Sequence, residues 1–181
     1  MLIAITGTPG TGKTSVAKIL DKKGFITINL NDLAIEKKCI IKKDVKRNSN
    51  VVDIKKLDNY IVEFKKDKHV FIDGHLSHLL SCVDKVILLR CHPDKLKKNL
   101  KKKNWDKKKI KENVEAEILD IILLESLELH NEKDIFEIDT TNKSIYEISN
   151  IVIEIIKRDF KNLKKYKIGK IDWSEEILKD F

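Results

Sequence analysis

The sequence has few of the features that mark a secreted or a membrane protein. Its 181 residues include three cysteines, an odd number without a CxxC pair, so we expect reduced thiols and no disulfide framework. No apolar run approaches the roughly 18 residues that a membrane-spanning helix needs. The start of the chain lacks the basic leader of a secretory signal peptide. These absences predict a cytoplasmic protein that has no membrane partner.

Arginine is scarce in a strongly basic chain. Among 37 basic residues only Arg47, Arg90 and Arg158 are arginines, and the formal net charge is +8 at pH 7. Lysine binds phosphate as a point charge, whereas arginine offers a planar fork. The charge suits phosphate-bearing partners, but codon bias or growth at high temperature would also enrich lysine and isoleucine. Composition alone leaves both explanations open.

Short apolar runs alternate with helical stripes along most of the chain. The predicted strands cover residues 2–6, 25–29, 70–74, 86–90 and 134–138, and the predicted helices cover residues 13–22, 51–66, 115–130 and 144–160, with a further helix opened by Pro93. This alternation predicts an α/β fold in which a parallel five-stranded sheet is flanked by helices on both faces. A chain of this length is expected to fold as one domain, residues 1–181, with a sizeable core.

Three segments depart from this regular pattern. Residues 30–50 predict a small helix followed by an exposed segment. The lysine-rich helix after Pro93 is interrupted near Trp105, which marks a candidate lid at about residues 99–109. Residues 161–181 form an appended tail, and we expect this tail to dock on the domain through Trp173.

The strongest signal in the sequence is the segment GTPGTGKT at residues 7–14. It matches the P-loop pattern G-x-x-x-x-G-K-[ST] at every fixed position, and it lies between a predicted strand and a predicted helix, as the motif requires. The loop glycines let backbone N–H groups turn inward around the phosphates of ATP. Lys13 is then expected to reach the β- and γ-phosphates, Thr14 to offer a hydroxyl to Mg²⁺, and Ser15 to donate near the α-phosphate.

A carboxylate ends the third predicted strand. A P-loop protein places at such a strand end the group that holds Mg²⁺ through water or polarises a nucleophile, and we assign this role to Asp73. His75 follows two residues later and can orient a water or an acceptor, although a helix-capping or surface histidine fits the same position. A zinc site of His75, His78 and Cys82 has helix-like spacing but lacks a fourth ligand.

Several short motifs occur together in this chain. They are the P-loop, Asn29-Leu30-Asn31-Asp32-Leu33-Ala34, Val51-Val52-Asp53, Asp73-Gly74-His75, Arg90 and Asn142-Lys143. As a set they resemble the archaeal and eukaryotic adenylate kinase 6 family, also called Fap7, over residues 1 to about 157. The resemblance implies a nucleoside monophosphate (NMP) kinase fold and phosphoryl transfer from MgATP to AMP, with ATPase activity beside it. It also implies a role in small-ribosomal-subunit maturation and rRNA processing, through a small-subunit ribosomal protein.

The resemblance also implies roles for segments and single residues. It makes the insert at about residues 29–51 an NMP-binding arm. The implied catalytic residues are Lys13, Asp73 and His75. The implied ATP-binding residues are Gly10, Gly12, Lys13, Thr14, Ser15, Lys103 and Lys143. The implied NMP-binding residues are Asn29, Asp32 and Val52, and the implied Mg²⁺ ligands are Thr14 and Asp73.

Two arginines typical of that family are missing. Ile35 stands where the family tends to have arginine, and Lys103-Asn104-Trp105 stands where it has an Arg-Gly-aromatic lid. A bidentate hold on phosphate is lost at both places, which bears on AMP phosphorylation more than on ATP binding. Arg47, in the nearby exposed segment, is a candidate replacement.

Ten lysines of residues 95–111 span the candidate lid. They form either a solvated helix face or a basic surface for rRNA and nucleotide phosphates, since lysines attract nucleic acid without regard to sequence. Two other functions stay open beside an AMP kinase. One is an ATPase switch that serves ribosome assembly, and the other is a kinase that acts on another small acceptor.

Overall fold

A five-stranded parallel sheet forms the centre of the computed structural model, which describes residues 1–44, 49–66 and 68–180. The strands are β1 (Leu2–Thr6), β2 (Ile26–Asn29), β3 (Ile40–Asp44), β4 (Ser49–Val52), β5 (Val70–Asp73), β6 (Lys85–Arg90) and β7 (Ile135–Asp139). The helices are α1 (Lys13–Lys22), α2 (Leu30–Glu36), α3 (Ile54–Ile61), α4 (Pro93–Lys101), α5 (Lys107–Ile118), α6 (Ile121–Leu129) and α7 (Ile145–Lys157). Among the described residues no helix is long and apolar enough to cross a bilayer.

The sheet has the strand order β2-β5-β1-β6-β7, with all neighbours parallel. Every residue of the central strand β1 is buried, because helices cover both faces of the sheet. Ile3 packs with residues of α1 and α7, whereas its neighbour Leu2 packs on the opposite face with residues of α3 and α6. This arrangement confirms the predicted α/β fold and its five parallel strands.

The segment before β5 differs from its prediction. Strands β3 and β4 pair with each other antiparallel (the β3–β4 hairpin), where the prediction had an exposed segment and no strand. The predicted helix at residues 51–66 was wrong at its start, because Val51 and Val52 belong to β4. The helix α3 begins only after Asp53, whose side chain caps it by accepting a hydrogen bond from the Lys56 N–H at 3.0 Å.

The helical region between β6 and β7 contains two breaks. The predicted interruption near Trp105 is present, since α4 ends at Lys101 and α5 begins after its N-cap, Asp106. The single helix predicted at residues 115–130 was wrong, because Asp120 has a left-handed backbone, with φ of 54°, and separates α5 from α6. The Asp120 carboxylate pairs with Arg90, and this contact fixes the break.

The tail after α7 returns along the far edge of the sheet. Lys167 forms an isolated bridge with Phe136 of β7, and the Gly169 N–H donates to the Glu137 carboxylate at 2.9 Å. The Trp173 ring then packs edge-on against His92, the N-cap residue of α4, with ring centroids 5.0 Å apart. The tail therefore contacts the domain through Trp173, as expected, at the start of α4.

Candidate functional site

The P-loop connects β1 to α1 at the carboxyl edge of the sheet. Gly7 has φ of 137°, and a Cβ atom there would lie 2.3 Å from the Leu89 carbonyl oxygen, so only glycine fits this close approach. Gly12 is the N-cap of α1, in a left-handed conformation that makes no side-chain cap. The first N–H groups of α1 are thus available to an anion.

The amino group of Lys13 lies inside this loop. The side chain is 8% exposed, and its Nζ donates to the carbonyl oxygens of Gly7 at 2.7 Å and Thr8 at 3.1 Å. Burial lowers the pKa of Lys13 to about 8 against the opposing charge of Asp73, and the positive charge of Lys103 lowers it further. Thr14 and Ser15 follow at the exposed start of α1.

Asp73 ends β5 beside the P-loop and is 2% exposed. Asn29 donates to one of its carboxylate oxygens at 3.1 Å, while the other, Oδ1, is buried without a hydrogen-bond partner among the described residues. Burial raises the pKa of Asp73, and the Thr14 hydroxyl and Lys13 oppose this rise. An orphaned carboxylate oxygen near a threonine hydroxyl fits Mg²⁺, which prefers oxygen ligands.

His75 lies just beyond β5, with an exposed side chain. Although this residue is exposed, the surrounding protein atoms partly remove water from its ring. This desolvation, together with the positive charges of Lys13 and Lys109, lowers the pKa of His75 to about 4. The imidazole is therefore neutral at pH 7, and it can accept a proton or a hydrogen bond.

The zinc alternative has no support in the described part of the chain. His78 is fully buried, where its ring bonds the Thr6 hydroxyl and Glu125, each at 2.9 Å, while Cys82 contacts Asp58. Neither joins His75 in a cluster of ligand atoms. The cluster that does form is His92, Asp94 and Glu176, whose ligand atoms lie within 4.8 Å of one another.

The three predicted NMP-binding residues lie on three different elements or element ends. Asn29 caps α2 by accepting from the N–H groups of Asn31 and Asp32, and it also holds Asp73. Asp32 is exposed, and its charge raises the pKa of Asp73, so the two carboxylates are neighbours. Val52 lies on β4, opposite Ile40. Arg47 lies outside the described residues.

Two predicted ATP-binding lysines border the P-loop from different elements. Lys103 is exposed in the break between α4 and α5, and its positive charge lowers the pKa of Lys13. Lys143 lies just before α7, where its Nζ donates to the Asp139 carbonyl oxygen at 2.8 Å. The first residue of α7, Ile145, lies 3.1 Å from the position of a Cβ on Gly12. Both lysines thus lie on segments beside the loop.

Sequence reasoning missed a buried ionic network behind the P-loop. Thr8 donates its hydroxyl to Glu117 of α5 at 2.5 Å, and the other Glu117 oxygen accepts from Arg90 at 2.8 Å. Arg90 also pairs with Glu137 at 2.6 Å and with Asp120. All of Arg90, Glu117 and Glu137 are at most 3% exposed. The available signal was the scarcity of arginine, since one of three arginines ends a buried strand.

Comparison with known proteins places this geometry in context. A family model described as an AAA domain matches residues 3–120. The "Putative adenylate kinase" of Pyrococcus abyssi is 44% identical over 176 residues, covering 97% of this chain and 92% of that protein. The protein of the same name from Methanocaldococcus jannaschii is 42% identical over 180 residues, covering 98% of this chain and 96% of that protein.

Solved structures show the same fold at low sequence identity. Shikimate kinase from Acinetobacter baumannii, in complex with shikimate, has a TM-score of 0.62 and 14% identity, covering 90% of this chain and 95% of that chain. The structure of TT1252 from Thermus thermophilus has a TM-score of 0.59 and 14% identity, covering 88% and 97%. At this identity the likeness concerns the fold alone, which is that of a P-loop kinase.

Proposed function

The chain belongs to the family of archaeal proteins named "Putative adenylate kinase", and on this premise we propose that it transfers the γ-phosphoryl group of ATP to AMP, giving two ADP. We assign it within that family to the adenylate kinase 6, or Fap7, group. One observation carries the proposal: the buried Lys13, the uncapped start of α1 and the orphaned Asp73 oxygen meet at one edge of the sheet.

Phosphoryl transfer asks little covalent chemistry of a protein, so the roles of these residues are positioning and charge neutralisation. The loop N–H groups and Lys13 bind the phosphates. To do so, Lys13 exchanges its bonds to the loop carbonyls for bonds to phosphate oxygens. Thr14 and Asp73 would hold Mg²⁺, which neutralises the charge that develops on the transferred group. Lys103 on the lid and Lys143 before α7 would add positive charge around the bound ATP.

The acceptor is expected between α2 and the β3–β4 hairpin, with Asn29, Asp32 and Val52 at its borders. Asp32 carries a negative charge there, and Ile35, which is 59% exposed, offers no donor to a phosphate. These residues support weak binding of AMP. We also propose that neutral His75 orients a water molecule, which gives the enzyme an ATPase activity beside transfer.

We further propose that the protein works in the cytoplasm in maturation of the small ribosomal subunit, together with a small-subunit ribosomal protein. The family resemblance and the exposed lysines of residues 95–111, which suit rRNA, support this role. A second candidate is an ATPase switch in ribosome assembly without a physiological AMP kinase role. The two missing arginines favour this candidate over efficient transfer.

One assay separates the two candidates. MgATP is incubated with and without AMP, and ADP is separated from inorganic phosphate. Formation of ADP that depends on AMP, without matching phosphate release, supports the kinase. Phosphate release at a rate that does not depend on AMP supports the switch.

Lys13→Ala should abolish both activities while the fold remains, because Lys13 binds the transferred phosphate. Lys18→Ala, on the exposed side of the same helix, is the matched control and should retain both.

A further inference from the structure

Helix α6 presents an apolar face to solvent. Its buried side consists of Leu123 and Ser126, with Ile122 partly buried. At the 3.6-residue period of a helix, Ile121, Leu124 and Glu128 fall on the opposite side, and Leu127 and Leu129 lie along its two edges. The large apolar residues exposed there and just before the helix are Leu119 (52%), Ile121 (38%), Leu124 (54%), Leu127 (38%) and Leu129 (50%). Five large apolar residues exposed this close together mark an interaction site more often than a bare surface.

The charge around this face is as unusual as its apolarity. Glu128 lies among the leucines and Glu132 follows the helix, whereas Glu125 bonds to His78 and Asp120 pairs with Arg90. Residues 112–132 contain no lysine or arginine, although the chain has 37 of them and a net charge of +8. The α6 face is therefore an acidic and apolar surface on a basic protein.

This combination selects one kind of partner. RNA and anionic lipid are repelled by the acidic groups, because both carry negative charge. A second copy that used the same face would set acid against acid across a two-fold axis. The described part of the tail, residues 161–180, docks on β7 and α4 instead. A positively charged helix with its own apolar stripe meets both properties of the face.

We propose that the solvent face of α6 binds a basic amphipathic helical segment of another protein. Leucines of the face receive the apolar stripe of that segment, and Glu128 pairs with its lysines or arginines. This interaction does not depend on phosphoryl transfer, since none of these side chains touches the P-loop, Asp73 or His75 in the contacts described above.

The probe is a fluorescent synthetic peptide in which leucines recur at helical spacing, to form one apolar stripe, and lysines occupy the remaining positions. Fluorescence anisotropy measures its affinity for the full chain. Two variants alter the face. One is the double variant Leu124→Ser and Leu127→Ser, and the other is Glu128→Lys. Two matched variants alter exposed positions of α7, Tyr146→Ser, at a residue 70% exposed, and Glu154→Lys. Thermal melting and ATP turnover check whether each variant remains folded and active.

We expect both α6 variants to weaken binding by about tenfold or more, as hot-spot positions do, and both α7 variants to leave it unchanged. A peptide of leucine and glutamate, and a peptide of serine and lysine, should bind far more weakly than the probe. Equal affinity of the α6 variants and the natural chain would overturn the proposal. It would also be overturned if the α6 variants lost binding to an RNA oligonucleotide or to anionic vesicles, or if they abolished self-association in sedimentation velocity.

Discussion

The ammonium group of Lys13 is held by carbonyl oxygens in a buried loop, and this placement links its charge to pH. Its pKa is about 8 in the folded chain, against an ordinary value of 10.5. Between these two pH values the folded protein binds fewer protons than the unfolded chain. Burial of the charged amine therefore costs stability below pH 8, and the cost falls as the pH rises toward 10.5.

The same shift predicts how ATP binding depends on pH. Only charged Lys13 neutralises the phosphates, so the affinity for MgATP should be flat below pH 8 and fall by up to about tenfold per pH unit above it. Titration calorimetry with a non-hydrolysable ATP analogue measures this. Lys13→Ala should bind more weakly at every pH and lose the alkaline fall. An affinity of the natural chain that stays constant to about pH 9.5 would contradict the assignment.

Asp73 and His75 should separate the two proposed activities. Asp73→Asn is expected to lower transfer to AMP and ATP hydrolysis together, by about a hundredfold or more, since both need the metal. His75→Ala should impair hydrolysis more than transfer, because an imidazole that orients water is not needed when AMP is the acceptor. Both rates are measured on each variant, with His69→Ala as the control histidine. Equal losses in His75→Ala would assign His75 a structural role.

At the scale of elements, α4 and α5, the helices on either side of the break near Trp105, both bond to the P-loop. Asn99 of α4 donates to the Gly10 carbonyl oxygen at 3.0 Å, and Glu117 of α5 accepts from Thr8. The Thr8 carbonyl in turn accepts from Lys13. Two hydrogen bonds thus connect α5 to the amine of Lys13 through Thr8.

Variants of Glu117 and Thr8 should affect the free energy of unfolding and the turnover rate to different extents. Glu117→Gln removes one of the carboxylates that pair with the buried Arg90. We therefore expect a loss on the order of 3 kcal/mol in the free energy of unfolding. Thr8→Val keeps the pair of Arg90 with Glu117 but removes the donor to the other Glu117 oxygen, so it should lower kcat with a smaller loss of stability, about 1 kcal/mol. Urea unfolding and steady-state kinetics measure the two effects. Glu115→Gln, in an exposed pair with Lys111 on the same helix, should change stability by about 0.5 kcal/mol or less.

The elements that the sequence predicted well are those specified by local residues. Strands such as β1 are short apolar runs closed by glycine, and α7 starts with a complete capping box of Ser144 and Glu147. The break at Asp120 was missed because its cause, Arg90, lies 30 residues away in the chain. The β3–β4 hairpin was missed because neither β3 nor β4 has a regular apolar alternation, and only pairing between them makes them strands.

The candidate site was predictable to the same extent. The residues of the P-loop and Asp73 follow from a motif and a strand end, so local patterns locate them. The sequence did not indicate that Asn29 caps α2 and also donates to Asp73, because this double use depends on the pairing of β2 with β5. Glu117 carries no local signal, since it is one glutamate among several on a polar helix.

At the scale of the whole molecule, the tail connects the far edge of the sheet to the start of α4. Trp173 contacts His92, and Glu176 lies 3.4 Å from the same imidazole. Trp173→Ala should therefore lower the unfolding free energy by about 2 kcal/mol, since a packed aromatic ring is lost. Denaturant titration measures this. Tyr146→Ala, at an exposed ring on α7, should change stability by about 0.5 kcal/mol or less.

The strand order also decides when the nucleotide site can form as the chain folds. β1 is the first strand in the sequence, yet its partners are β5 and β6, so Leu2 pairs with Val70 and Ile3 with Lys85. Contacts this far apart in sequence form slowly, and during synthesis they must wait for the later strands to leave the ribosome. The P-loop is thus translated first and assembled late. Nucleotide affinity should appear in refolding only after most helical structure is already present.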